Sequence, residues 1–200
     1  MFQRNMERVS DLILDLLRYS TERTPEREIC RPNQIVSETV ELFKKRADEH
    51  DVKLKTVLDS SLKEAYLDRD GILKVLSNVI SNAIDACIYD TATFKAWEVT
   101  VRTKMEIGAE SSDIMIFEVT DNGCGMTDEV KAQLFHRFFT TKPGLGVGFD
   151  LLVTQKIIHE HGGEISLESK PGEGTTFSVR LNCQMPAADN RSFSNQRNNP

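Results

Sequence analysis

The chain has 200 residues, 39% of them hydrophobic, and 31 acidic against 25 basic side chains give it a formal net charge of −6. That length and apolar content suit one domain with appended segments, and the acidity speaks against nucleic acid, whose phosphates need a basic face. No apolar run of membrane-spanning length and no signal-peptide pattern is apparent, and Cys30, Cys87, Cys124 and Cys183 lack C-x-x-C spacing, so a soluble, cytoplasmic protein without membrane contact, zinc site or disulfide framework is expected.

Phe2, Met6, Val9, Ile13 and Leu16 are spaced by four, three, four and three, the seam of a helix packed in a bundle, and Leu12 and Leu17 widen it. An amphipathic helix folded back on its own domain is the plainer alternative. Charges and Pro25 then break the pattern over residues 21–31, as a linker or short strand would. From Asn33 or Pro32 a helix is expected to about His50, with Ile35, Val36, Thr39, Val40, Phe43 and Ala47 on one face. Residues 52–58 alternate like a half-buried strand. Asp70 is expected to cap a helix that turns Ile72, Val75, Leu76, Val79, Ile80, Ala83 and Ile84 inward. On its other face Asn78, Asn82 and Asp85 fall at i, i+4 and i+7, one polar row.

A loop over 89–95 leads to two strand-like runs, 96–107 and 112–120. A short helix over 127–135 should be capped by Thr127, with Asp128 and Glu129 in its first turn. A helix over 149–161, stopped by Gly162 and Gly163, precedes a closing strand pair, 165–169 and 175–181. Residues 183–200 are polar and rich in Asn and Ser, and are read as a disordered tail. Three helices over one face of a mixed sheet make a two-layer α/β sandwich of the α+β class.

The stretch from 121 to 148 carries the chemistry. Asp121, Gly123 and Gly125 directly follow the apolar run 114–119, placing a carboxylate at a strand end beside backbone without Cβ atoms. Such a carboxylate can accept a directed hydrogen bond from an exocyclic amine. Gly144, Gly146 and Gly148 alternate before a helix, where bare N–H groups can wrap phosphate oxygens, and residues 138–143 between the two clusters form an aromatic and cationic loop. Either cluster alone is often only a tight turn. Together they read as a nucleotide-binding strand, loop and lid.

NVISNAIDAC, DNGCGM, RFFTTK, GLGVGF and GEGTTF, in that order, resemble the N, G1, F, G2 and G3 boxes of the ATP-binding domain of bacterial sensor histidine kinases, a Bergerat-type fold. The likeness runs over residues 31–181, and RFFTTK with NAIDA looks most similar to the nitrogen-regulation, nitrogen-fixation and dicarboxylate-sensing branch. It implies residues 1–22 as the second helix of a dimerisation domain, 23–31 as linker or short strand and 32–182 as the kinase domain. It also implies ATP and Mg²⁺. Asp121 would bond the adenine amine, in a base site with Gly123, Gly125 and Met126, where Gly125 gives the base room and Thr175 supports the contact through water. Asn82 would hold Mg²⁺ with Asn78 beside it at the metal or phosphates. Lys142, with Thr141 and the run Gly144, Leu145, Gly146, Val147 and Gly148, would cradle the β- and γ-phosphates, and Phe138 and Phe139 would anchor the lid. Asn78, Asn82 and Lys142 are the catalytic residues the resemblance implies.

The chain departs from the family at Asp85 and Ala86, where a basic and then an aromatic residue are common, and at Leu145, where Thr, Ser or His is more usual. No counterpart of the phosphoacceptor His stands upstream, and His50, His136, His159 and His161 read as ordinary surface or capping residues. The expected acceptor is a His helix of the same or a partner protomer, in a full-length homodimer that relays to a response-regulator receiver domain and is itself membrane-anchored or not. Two other readings are an ATP-hydrolysing switch of the same superfamily and a non-catalytic nucleotide-binding module. The first needs a general base four residues before the metal-binding Asn, where this chain has Asn78, and the same point counts against the superfamily's serine-directed kinases. The second is opposed by intact Asn82, Asp121, Lys142 and the three lid glycines.

Overall fold

Among the described residues eleven elements are laid down in the order β1 (Glu28–Cys30), α1 (Pro32–Asp48), β2 (Lys53–Val57), β3 (Ala65–Leu67), α2 (Arg69–Ile88), β4 (Glu98–Ile107), β5 (Asp113–Asp121), α3 (Asp128–Lys131), α4 (Asp150–Glu160), β6 (Glu164–Lys170) and β7 (Gly174–Asn182). The computed structural model describes residues 24–92, 94–107, 113–134 and 150–182. The N-terminal seam, the polar tail and the lid positions Phe138, Phe139, Thr141, Lys142, Gly144, Leu145, Gly146, Val147 and Gly148 therefore lie outside the described residues.

Five strands form one sheet in the order β2-β4-β5-β7-β6, and β1 with β3 forms a separate two-stranded ribbon. β2 runs parallel to β4 and the other neighbours are antiparallel, so the sheet is mixed. The alternation in sequence becomes two unlike faces. Inward stand Val99, Val101, Met115, Phe117, Val119, Phe177, Val179 and Leu181, all buried, each removal from water being worth roughly 1.5–3 kcal/mol. Outward, Arg102 and Lys104 flank Glu118 at 3.6 and 2.6 Å, and Arg180 meets Glu106 at 2.8 Å. Such part-exposed pairs stabilise little, but they keep these positions of β4, β5 and β7 on the face opposite the core and so favour one register.

The helices α1, α2 and α4 cover the inner face. Pro32 begins α1, its fixed φ suiting the first turn, after an extended Arg31. Ile35, Val36, Thr39 and Ala47 are buried as the periodicity requires, with Val40 and Phe43 packed against the core. α2 lies at the centre, on β4, β5 and β7 and between α1 and α4. All seven apolar positions expected to face inward are buried. By length and composition α2 could cross a membrane, a run the sequence reading overlooked because Asn78, Asn82 and Asp85 interrupt it. Here 56% of that window is buried inside the protein, and α2 is the core helix.

Asp68, rather than Asp70, caps α2: its carboxylate accepts from Gly71 N at 3.0 Å. The helix starts earlier than expected because β3, too short to announce itself, delivers the chain at Leu67. Asp70 instead lies in the first turn, where its charge suits the helix dipole.

Candidate nucleotide-binding site

The site is built where β5 ends against the C-terminal turns of α2. Asp121, the last residue of β5, is paired on one side with Val99 of β4 and on the other with Thr175 of β7, and is only 4% exposed. Its carboxylate is held by the chain that follows, Gly123 N donating to Oδ1 at 2.9 Å. Burial pushes this carboxyl up to about 6. Hydrogen bonding from the Gly123 and Thr175 backbones and the charge of Lys95 pull it down, and the charge of Asp90 pushes it up. Above that value it is an acceptor-only group in a dry setting, where one directed bond counts for more than in water.

The turn after Asp121 is pressed onto its neighbours by close backbone approaches. A Cβ on Gly123 would sit 2.4 Å from the carbonyl carbon and oxygen of Ala86. Cys124 N donates to Ala86 O at 3.0 Å, locking the turn onto α2. Gly125 takes φ +62°, and a Cβ there would lie 1.9 Å from the Lys170 carbonyl oxygen. The need for glycine at 125 is thus close contact with the β6–β7 turn, a reason different from room for a base. Gly172 N, in that turn, donates to Cys124 O at 2.7 Å. Ser169 Oγ and Thr175 Oγ1 lie 2.9 Å apart beneath it, and Lys131 of α3 reaches Ser169 O at 3.1 Å. Met126, half-buried, packs against the core.

Along α2 the expected polar row divides. Asn78, 8% exposed, donates through Nδ2 to Asp150 O at 3.0 Å and Thr154 Oγ1 at 3.1 Å, and Thr154 Oγ1 itself donates to Asp150 O at 2.8 Å. Asn78 therefore ties α2 to the first turn of α4. Asn82 follows one turn later, half-buried. Asp85 is taken instead by Arg46 of α1, whose other nitrogen donates to Ser81 Oγ at 2.9 Å. Through that ion pair the Asp85 carboxylate braces α2 against α1.

The structure brings Asp121, Gly123, Gly125, Met126 and Thr175 together at one end and sets Asn78 and Asn82 along the adjoining helix. Of the histidines, His50 and His159 are exposed, His161 is buried with Nδ1 bonded to Ile157 O at 2.7 Å, and His136 lies outside the described residues. Sequence reasoning missed Asn122, Asp90 and Lys95. Asn122 clasps the start of β4, accepting from Glu98 N at 2.8 Å and donating to Ala96 O at 2.9 Å. An Asn directly after a strand-end Asp was a usable signal for it. Asp90 is held by near neighbours, Ala92, Lys95 and Trp97, in a loop with no pattern to mark it, and the carbonyls that Lys95 binds lie far along the chain.

Residues 67–185 match the family described as histidine kinase-, DNA gyrase B-, and HSP90-like ATPase. Over 180 residues the chain is 29% identical to the signal transduction histidine-protein kinase AtoS of Escherichia coli, covering 89% of this chain and 28% of AtoS. Over 183 residues it is 32% identical to the sensor protein FixL of Bradyrhizobium diazoefficiens, covering 91% of this chain and 34% of FixL. It thus spans only about a third of these relatives' length. The catalytic domain of histidine kinase ThkA superposes with a TM-score of 0.64 at 27% identity, covering 79% of this chain and 96% of that one. The structure of ThkA in complex with the response regulator protein TrrA gives 0.70 at 26% identity, covering 91% and 49%. The matched residues take in Asp121, the glycine turn and the amide-bearing helix together, and the chain belongs to the histidine kinase-, DNA gyrase B-, and HSP90-like ATPase family, among its sensor-kinase members.

Proposed function

We propose that this domain binds Mg²⁺-ATP and that, in the whole protein, the γ-phosphoryl passes to a histidine imidazole on a dimerisation helix of the same or the partner protomer, for relay to an aspartate of a response-regulator receiver domain. The observation that carries the reading is the buried Asp121 carboxylate at the end of β5, aimed by Gly123 N and set against α2. An acceptor-only group there suits the exocyclic amine of adenine and opposes a carbonyl at the same place, so ATP is preferred over GTP. Gly123, Gly125, Met126 and Thr175 would complete the base site.

Asn82 and Asn78 would hold Mg²⁺ through amide oxygens, hard neutral donors of the kind this cation takes alongside its waters. Asn78 fits because its nitrogen is committed to α4, which turns the oxygen end of the amide the other way. When bound, Mg²⁺ would neutralise charge on the phosphate oxygens. Lys142, Thr141 and the backbone of Gly144, Leu145, Gly146, Val147 and Gly148 would close over the phosphates, with Phe138 and Phe139 as the anchor of that segment. Residues 1–22 would belong to the dimerisation bundle of a homodimer and 32–182 to the ATP-binding domain, on the cytoplasmic side, where ATP and receiver domains are found. The ThkA–TrrA complex supports a response regulator as partner. The hydrolytic alternative is weaker, since an amide at 78 accepts no proton from water and both its nitrogen contacts are structural.

Two measurements test the reading. Calorimetry should show Mg²⁺-ADP binding with GDP at least about tenfold weaker. Incubation with γ-labelled ATP should leave this 200-residue chain unlabelled, because His50 and His159 stand on open surface and the imidazole of His161 is buried. Adding a helix with a His before an acidic residue should give an acid-labile, alkali-stable label. Equal affinity for ADP and GDP, or label on His50, His136, His159 or His161, would refute the assignment.

A further inference from the structure

Lys95, in the α2–β4 loop, sends its ammonium into the protein. Nζ lies 2.8 Å from Asp90 Oδ2, 3.2 Å from Gly123 O and 3.1 Å from Gly172 O, so three donors meet three acceptors. Its side chain keeps 21% of its exposure. Asp90 is itself fixed, accepting from Ala92 N at 3.0 Å and Trp97 Nε1 at 3.4 Å. The two carbonyls come from segments about fifty residues apart in sequence, yet both belong to the frame of the base site. Gly123 gives its own N–H to Asp121 Oδ1, and Gly172 gives its N–H to Cys124 O. A lysine on open surface would keep its water and its rotamers. This one gives up both where the loop after β5 meets the β6–β7 turn.

We propose that Lys95 is a positioning residue for the adenine site, drawing the Gly123 and Gly172 carbonyls together against Asp90 and so fixing the turn that aims the Asp121 carboxylate. The inference rests on the nucleotide reading of that site. Lys95 acts on Asp121 in two ways, through the geometry of Gly123 and through its charge. Among the described residues the charged groups that act on Asp121 are Asp90 and Lys95 from the α2–β4 loop, while the Asp121 charge in turn pushes up the thiols of Cys87 on α2 and Cys124 on the turn. From β6 and β7 the neighbours are the uncharged Ser169 and Thr175. Lys95 holds the Asp121 carboxyl down and Asp90 holds it up, so removing one or the other has opposite consequences.

The test uses the full chain with Lys95→Met, Lys95→Arg and Asp90→Asn, following the Asp121 carboxyl by carbon NMR without nucleotide and ADP affinity by calorimetry at pH 6 and pH 8. Lys95→Met should raise the Asp121 midpoint by about half a pH unit or more and weaken ADP binding about tenfold at pH 6, with a smaller loss at pH 8. Asp90→Asn should lower the midpoint, and Lys95→Arg should stay near the wild type in both readouts. Midpoints that move the same way in Lys95→Met and Asp90→Asn, or that do not move, would overturn the proposal, as would a loss of affinity equal at both pH values. If Lys95→Met does not fold, a midpoint unmoved in Asp90→Asn overturns it alone. Absence of ADP binding by the wild type, with the midpoints shifting as stated, would instead refute the nucleotide reading and leave the coupling of Lys95 to Asp121 standing.

Discussion

The proposed adenine end of the site and its proposed phosphate end are held by different means. At the adenine end, backbone meets backbone: Gly123 on Ala86, Gly125 on Lys170, Gly172 N on Cys124 O. No rotamer can relax those contacts, so the direction of the Asp121 carboxylate is set by main chain and by one lysine. At the phosphate end, side chains do the joining, with Asn78 and Thr154 linking α2 to α4 through single hydrogen bonds. The base is the same in every ATP, whereas phosphates are transferred and lost. Under the proposed function, a stiff reader for the constant part and an adaptable hold on the changing part would suit that asymmetry.

The largest effect should come from breaking a backbone contact at the stiff end. Gly125 and Gly162 have nearly the same φ, +62° and +70°, but a Cβ on Gly125 strikes the Lys170 carbonyl at 1.9 Å while one on Gly162 meets nothing within 4 Å. Gly162→Ala therefore carries only the left-handed backbone cost, about 1 kcal/mol. Gly125→Ala adds displacement of the β6–β7 turn and should cost at least about 3 kcal/mol in denaturant unfolding, with loss of ADP binding. Similar costs at the two positions would mean that the turn yields, and the contrast between the two ends would fall.

Next in size is Asp121→Asn, which keeps the shape of the side chain and can present a donor to the adenine amine. It should weaken ADP binding by about 100-fold, near 3 kcal/mol, while the protein stays folded. The same residue gives a pH signature. Its carboxyl lies at about 6 in the folded protein against 3.8 for the ordinary group. The folded state therefore holds a proton that the unfolded chain has released, and the stability from this group is full below 3.8 and lost as pH rises through about 6. The loss is up to about 3 kcal/mol by pH 7. Carboxylates held low by their partners, Asp90 and Glu98 among them, slope the other way. The difference curve between Asp121→Asn and wild type, by urea unfolding from pH 4 to pH 7.5, isolates the Asp121 contribution. The variant should gain on the wild type as pH rises, and a flat difference would show that the carboxylate is not desolvated.

The sequence made the adenine end half legible. A carboxylate at a strand end followed by spaced glycines is a local pattern, and the strands and helices around it alternate cleanly enough that the layering and five of the seven described strands could be read, with β1 left between linker and short strand. β3 was missed because three residues carry too little alternation, and the cap of α2 moved with it. The row Asn78, Asn82, Asp85 was legible as a helix face but not in its partners. Arg46 and Thr154 are 39 and 76 positions from the residues they engage, and one sequence holds no record of such pairings. Lys95 shows the same limit, since nothing near it marks an ammonium that will bind carbonyls 28 and 77 residues away.

The smallest expected effect tests the adaptable end. Thr154 is fully buried, and its hydroxyl donates to Asp150 O while accepting from Asn78 Nδ2. Thr154→Val keeps the volume and removes the hydroxyl. Asn78 retains its bond to Asp150 O at 3.0 Å, so two hydrogen bonds of the hydroxyl are lost and no buried charge is created. The cost to stability should be about 1–2 kcal/mol. What distinguishes a phosphate-end defect from general loosening is its dependence on ligand. Adenosine engages only the base site, whose backbone frame does not include Thr154, and its affinity should be unchanged within about twofold. Mg²⁺-ATP also engages Asn78 and Asn82 in the proposed arrangement, and a freer Asn78 amide should weaken it about threefold to tenfold. Equal losses for adenosine and Mg²⁺-ATP would mean that the two ends are mechanically one, since a defect introduced between α2 and α4 would then have travelled through α2 to the turn at Gly123.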